Sequence, residues 1–311
     1  QIFMNRENQH IEARETKKLT PEEEKLLSEV EEITRLRMGE SDRIHGIEHV
    51  EVVAWLAKYL AEKEGGKVLE AAVGGWLHDW GRKGETERRE KGVKIPHAEV
   101  SRTKSQRLIL QPLLTEGKIT EEQYQRILAV IEAHSKLPEG KMLEKKILRD
   151  ADRLSRFSAM GLQQVVKSAT EVDGKPFYLE GQPITNPKEF FGRKNLKCAI
   201  DDINFVVHWR EILETEAAKQ LANKFKLFEI YESFLRTFEK YKDTVDQEIW
   251  LKWIASAAEN SKKPIDKLKQ ENKAHHEETS LEDILALEAP DVFSEENFKR
   301  FFEDEGLVLD G

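Results

Sequence analysis

The chain has 311 residues, 39% of them hydrophobic and 35% charged, which is enough apolar material for a sizeable core and too much for wholesale disorder. Its one cysteine, Cys198, excludes an internal disulfide and fits a reducing compartment; no run of about 18 apolar residues or secretion-type start is found, so a soluble, cytoplasmic protein without a membrane partner is expected. The net charge of -9 argues against nucleic acid, yet it is concentrated in residues 271–311, which hold 13 Asp/Glu against 3 Lys/Arg and leave the rest close to neutral.

Helical signals dominate in chain order. Thr20-Pro21-Glu22-Glu23 combines a cap, a first-turn proline and a capping-box glutamate, and predicts a helix to Met38 with Gly39 as its stop. Ile47, Val50, Val53, Ala54, Ala57, Leu60 and Ala61 form the stripe of a second helix that ends at Gly65-Gly66. A third runs from Val68 to Asp79 and breaks near Gly81. The interval from Arg82 to Lys104 carries eight basic residues and four acidic ones, which reads either as a solvated surface loop or as a rim that attracts phosphate.

Helical periodicity resumes after Pro96 and continues to about Leu114, and Thr120 to Gln123 form another capping box. One helix is expected from Leu143 to about Lys167, a long irregular loop over 170–197, a helix-rich region from Ile200 to about Tyr241, and a further helix from Asp246 to Ala258. The expected class is all-α. The expected division is an N-terminal helical extension (1–40), a main helical domain (41–245), and a C-terminal helix with an acidic tail (246–311). Two short apolar runs in the tail, one holding Leu281, Ile284, Leu285 and Leu287 and the other Phe293, Phe298, Phe301 and Phe302, leave disorder or intramolecular packing open beside docking on a partner or second subunit.

Five of the nine histidines (His45, His49, His78, His97 and His134) fall between residues 45 and 134, each at or near a predicted helix. His78 and Asp79 interrupt an apolar stretch between Leu77 and Trp80; unpartnered, they would cost several kcal/mol to bury, and either a shared divalent cation or a His-Asp hydrogen bond satisfies them. Asp152 lies four residues after Leu148 and is expected to point inward, whereas Asp150 is rotated toward solvent or a neighbouring helix.

The blocks His45-Gly46-Ile47-Glu48-His49-Val50, Leu77-His78-Asp79-Trp80-Gly81-Arg82 and Asp150-Ala151-Asp152-Arg153-Leu154 resemble the signature of the HD superfamily of metal-dependent phosphohydrolases: His, then His-Asp, then Asp on successive helices. With the later run Thr215-Glu216-Ala217-Ala218-Lys219, the resemblance covers about residues 41–242 and points to the bacterial branch of YpgQ-type nucleotide pyrophosphohydrolases. It implies a compact multi-helix bundle in which His49, His78, Asp79 and Asp152 ligate a divalent metal, with Mn, Fe, Co, Ni, Zn or Mg as candidates. The implied reaction is hydrolysis of a phosphoester or phosphoanhydride, expected in a nucleotide, by a metal-activated water.

On the same footing Asp79 serves as ligand and proton acceptor, and Arg82 stands where many relatives carry lysine, trading a proton-donor role for bidentate phosphate contacts. His97 and His134 correspond to histidines that bind a second ion in two-metal relatives; substrate contact or acid catalysis is the favoured role here, with a second metal or a structural role as alternatives. His45, Lys83 and Arg153 are the substrate-binding candidates, with Lys94 and Arg102 as further extensions of a phosphate site, each against a plain salt bridge or cap. The competing readings are a two-metal oxygenase or cyclic-nucleotide phosphodiesterase, and a non-catalytic nucleotide-binding or scaffolding module. A homo-oligomer stays open.

Overall fold

In a computed structural model the chain is described over residues 18–38, 46–82, 91–92, 95–135, 140–182, 196–275 and 279–307. His45, Lys83, Lys94 and Gly39 lie outside these residues. The described residues form helices and connecting turns with no strand, as the all-α expectation requires.

Thr20 accepts from the Glu23 amide while Glu23 bonds back to the Thr20 amide, and this capping box opens α1 (Pro21–Met38). α2 (Ile47–Glu64) ends on Gly65, whose φ of 70° closes the helix in the left-handed region. α3 (Val68–Leu77) is buried along its whole length and is the central element of the domain. It lies so close to α2 that a Cβ at Gly75 would meet Ala54 Cα at 2.6 Å. α4 (His97–Ser105) continues through a π turn, Gln106–Leu110, into Gln111–Thr115, and α5 (Glu121–Ala133) starts on the predicted Thr120 capping box.

The single helix expected from Leu143 to Lys167 is instead two, α6 (Leu143–Leu154) and α7 (Ala159–Lys167). The Ser155 hydroxyl donates to the Asp152 carbonyl, and Ser158 caps α7 by accepting from the Gly161 amide. These serines compete for backbone groups that a continuous helix would use. Of the two surroundings expected for Asp150 the structure takes the neighbouring helix: the residue is fully buried, accepting from the Glu214 and Thr215 amides, the Thr215 hydroxyl and Arg153. The neighbouring helix that it meets is α9 (Glu216–Lys224), whose start it pins to α6.

α8 (Ala199–Val207) and α10 (Leu227–Tyr241) complete the core around Phe157, Tyr231 and Phe234. The helix expected to end at Ala258 extends much further, as α11 (Gln247–His275), with Pro264 on an exposed position. α12 (Leu281–Leu287) and α13 (Glu295–Asp304) follow. Of the tail's alternatives the structure takes intramolecular packing: Phe293 and Phe298 are fully buried, and Phe298 stacks on Trp250 with ring centroids 4.6 Å apart.

Candidate metal centre

Chain turns at the ends of α3, α5 and α6, together with the first turns of α2 and α4, carry the conspicuous His and Asp residues toward one another. His78 follows the last residue of α3 and His134 follows the last residue of α5. At both places a helix ends with unpaired carbonyls, and the imidazole uses one: His78 Nδ1 lies 2.7 Å from Gly75 O, and His134 Nδ1 lies 2.6 Å from Ile131 O. Those contacts fix the tautomer, so Nδ1–H donates and the Nε2 lone pair faces inward. His49, from the first turn of α2, has Nδ1 at 3.2 Å from Ser155 Oγ. Because that hydroxyl already donates to Asp152 O, it accepts from His49, and the His49 Nε2 lone pair also turns inward.

The inward atoms converge. His49 Nε2 lies 3.4 Å from His78 Nε2, 3.6 Å from Asp79 Oδ2 and 3.3 Å from Asp152 Oδ1, while His78 Nε2 is 3.6 Å from Asp79 Oδ2. His49, His78 and Asp79 present donor atoms that all lie within 4.8 Å of one another, and Asp152 joins them through His49. On the other side of the same carboxylate, Asp79 Oδ1 is 3.7 Å from both His97 Nε2 and His134 Nε2, which are themselves 2.9 Å apart.

Gly81 permits this second convergence. A Cβ there would stand 2.2 Å from the His97 carbonyl, and the Gly81 amide donates to Ser101 Oγ at 2.7 Å. Any side chain at Gly81 would push the start of α4, and His97 with it, away from Asp79.

His49, His78, Asp79 and His134 are all at most 6% exposed. Burial pushes His49 down to about 4, with the Arg156 charge adding to the effect, so its imidazole is neutral near pH 7. His134 is likewise lowered by burial and by His78. Burial would raise the Asp152 carboxyl, but its charged surroundings, the Arg156 guanidinium among them, outweigh it and hold the group well below the usual carboxylate range. The cluster is thus a set of lone pairs and carboxylate oxygens facing one another. Asp152 Oδ1 is buried and has no directed hydrogen bond among the described residues. Such an arrangement is repulsive on its own, and a divalent cation with mixed nitrogen and oxygen coordination satisfies it. Contacts of 3.3–3.6 Å are the spacing that donors at about 2.1 Å from one ion adopt around it.

The expected substrate residues divide. Arg82 Nε lies 3.2 Å from Asp79 Oδ1, at the cluster. Arg153 does not extend it: its guanidinium is held by Asp150, Glu214 and the Ile212 carbonyl. Arg102 pairs with Glu132 at 3.3 Å on the surface. Sequence reasoning missed Arg156, whose Nη2 lies 3.3 Å from His49 Nε2 and 3.8 Å from Asp152 Oδ1, and whose carbonyl accepts from the Tyr231 hydroxyl. Its spacing of four from Asp152 was the available signal.

Residues 46–156 match the family model described as the HD domain. The matched segment, 111 of the chain's 311 residues, contains His49, His78, Asp79 and Asp152. In fold it is similar to a protein from Lactobacillus plantarum (21% identity, 73% of this chain and 100% of that one, TM-score 0.53) and to YpgQ from Bacillus subtilis (20% identity, 72% and 99%, TM-score 0.51). No curated protein is matched by its sequence.

Proposed function

We propose that the chain hydrolyses a phosphoester or phosphoanhydride bond of a nucleotide, with His49, His78, Asp79 and Asp152 holding the divalent cation. The observation that carries this reading is the inward convergence of imidazole lone pairs whose Nδ1 atoms are tied to Ser155, Gly75 and Ile131, around the Asp79 carboxylate. A bound divalent cation supplies Lewis acidity toward a phosphoryl oxygen and lowers the pKa of water. Within that frame Asp79 accepts a proton, and the Arg82 and Arg156 guanidiniums bind and orient the anionic phosphate in a fork geometry. The nucleotide assignment draws support from the resemblance of the sequence blocks to nucleotide pyrophosphohydrolases. The test is a screen of metal-loaded protein against nucleoside triphosphates, cyclic nucleotides and phosphomonoesters with product identification. Hydrolysis of a nucleotide that Asp79→Ala abolishes supports the reading; no turnover of any of them, or turnover undiminished in a folded Asp79→Ala protein, overturns it.

A specific observation favours a two-cation version of the same reaction. Asp79 Oδ2 faces His49 and His78 while Oδ1 faces His97 and His134, the disposition of a bridging carboxylate. Metal analysis separates the versions: His134→Ala lowers the bound metal from two equivalents to one if the second cation is present, and leaves one equivalent unchanged if His97 and His134 contact phosphate instead.

A further inference from the structure

Between α2, the α6–α7 turn and the C-terminal helices α11 and α12 lies a cleft of about 820 Å³, part of it open to solvent. Its walls are apolar, formed by Val52, Trp55, Phe157, Met160, Ile265 and Ile284. One wall comes entirely from residues after 246. His49 and Ser155 line it as well, so the cleft adjoins the metal centre without including His78, Asp79 or Asp152.

Three kinds of charge face this apolar space. Lys262 pairs with Glu48 at 2.6 Å. Lys269 pairs with Glu51 at 2.8 Å and sits over the Trp55 ring at 5.1 Å. Both lysines are therefore held by carboxylates of α2. Glu288, which follows α12 and is 7% exposed, takes a hydrogen bond from the Ala159 backbone, while its Oε2 is buried without a hydrogen-bond partner among the described residues. Asp266 adds a further carboxylate to the lining. A buried carboxyl oxygen left unpaired costs about 1–3 kcal/mol, so a group that pairs with it inside an apolar cleft gains what water cannot supply. Aromatic and aliphatic walls around a carboxyl select a molecule with one cationic end and a hydrophobic body.

We propose that this cleft is a second binding site, for a small amphipathic organic amine whose ammonium group pairs with Glu288 and whose apolar body lies among Trp55, Phe157 and Ile284. The site is independent of the hydrolytic reading, since none of its polar contacts involves Asp79 or a phosphate.

The probe pair is tryptamine and its neutral counterpart tryptophol, titrated calorimetrically into the full-length chain at pH 7.5. The expected result is tryptamine binding that exceeds tryptophol by about tenfold or more. Glu288→Gln, nearly isosteric, should erase that preference, and Ile284→Trp, which fills the cleft, should weaken both. Far-UV circular dichroism establishes that each variant is folded; if Ile284→Trp is not, Glu288→Gln decides alone. No binding of either probe, equal affinity for both, or a preference that survives Glu288→Gln overturns the proposal.

Discussion

Ser155 offers the sharpest test of how the cluster is organised, because it touches His49 from behind and is not itself placed among the metal-holding atoms. Its hydroxyl accepts from His49 Nδ1 at 3.2 Å and donates to the Asp152 carbonyl at 2.7 Å, joining two chain segments that meet at the candidate ion. Ser155→Ala removes the acceptor that fixes the His49 tautomer. Partners of this kind typically contribute 10–100-fold in metal affinity, or about 1.4–2.7 kcal/mol. Loss of one hydrogen bond within a half-buried turn costs only about 1 kcal/mol of folding stability. The expected outcome is therefore asymmetric: Mn²⁺ affinity, measured by competition with a chromogenic chelator, falls at least tenfold while the urea midpoint of the metal-free protein moves little. A variant with unchanged Mn²⁺ affinity would refute the argument that Nδ1 contacts organise the centre, and a large loss of stability alone would make Ser155 a purely structural residue.

Other predictions concern the fold that carries the site. Arg149, 2% exposed, forms a two-pronged pair with Glu214 at 2.6 and 2.8 Å, so Arg149→Met should lower stability by about 3 kcal/mol or more by urea denaturation; a loss under 1 kcal/mol contradicts this. Burial raises Glu288 to about 7 from an ordinary value of 4.5, so the native state keeps a proton that the unfolded chain releases. That contribution is present in full below pH 4.5 and is lost as pH rises through 7, by about 3 kcal/mol; the stability difference between wild type and Glu288→Gln across this window should show it, and a pH-independent difference would not fit. Truncation after residue 245 strips Trp250, Trp253, Phe293 and Phe298 from Phe234 and its neighbours, removing about 8–12 kcal/mol of apolar burial, and should leave no soluble folded domain by gel filtration; a stable monomer would show that the C-terminal helices are dispensable.

What the sequence disclosed depended on whether the signal was local. The capping boxes at Thr20 and Thr120, and the left-handed glycine at 65, are short-range devices, and they appear where their residues predict. His78, Asp79 and Asp152 stood out because polar groups interrupt apolar stripes, the family resemblance added His49, and the four side chains do meet. The break at Ser155–Ser158 was hidden because apolar periodicity continues across it, although two serines that bond to backbone were the cue. Asp150 was left between solvent and a neighbouring helix, and Arg153 between a phosphate site and a salt bridge, because their partners, Glu214 and Thr215, are some sixty residues away, and helical phase cannot reveal what packs on a face. The same limit hid Arg156, which comes to His49 after the chain has turned, with its carbonyl accepting from Tyr231. The approach of His97 and His134 to Asp79 was equally invisible, since it requires Gly81 to admit α4 at a backbone distance no spacing rule encodes.

The most direct test is a Mn²⁺ titration of wild type and Asp79→Asn followed by electron paramagnetic resonance. Convergence of both imidazole sets on the Asp79 carboxylate predicts that wild type takes up Mn²⁺ with loss of the free-ion signal and that the folded Asp79→Asn chain leaves the ion in solution. A wild type that binds no Mn²⁺, or an Asp79→Asn chain that binds it equally well, would contradict the account.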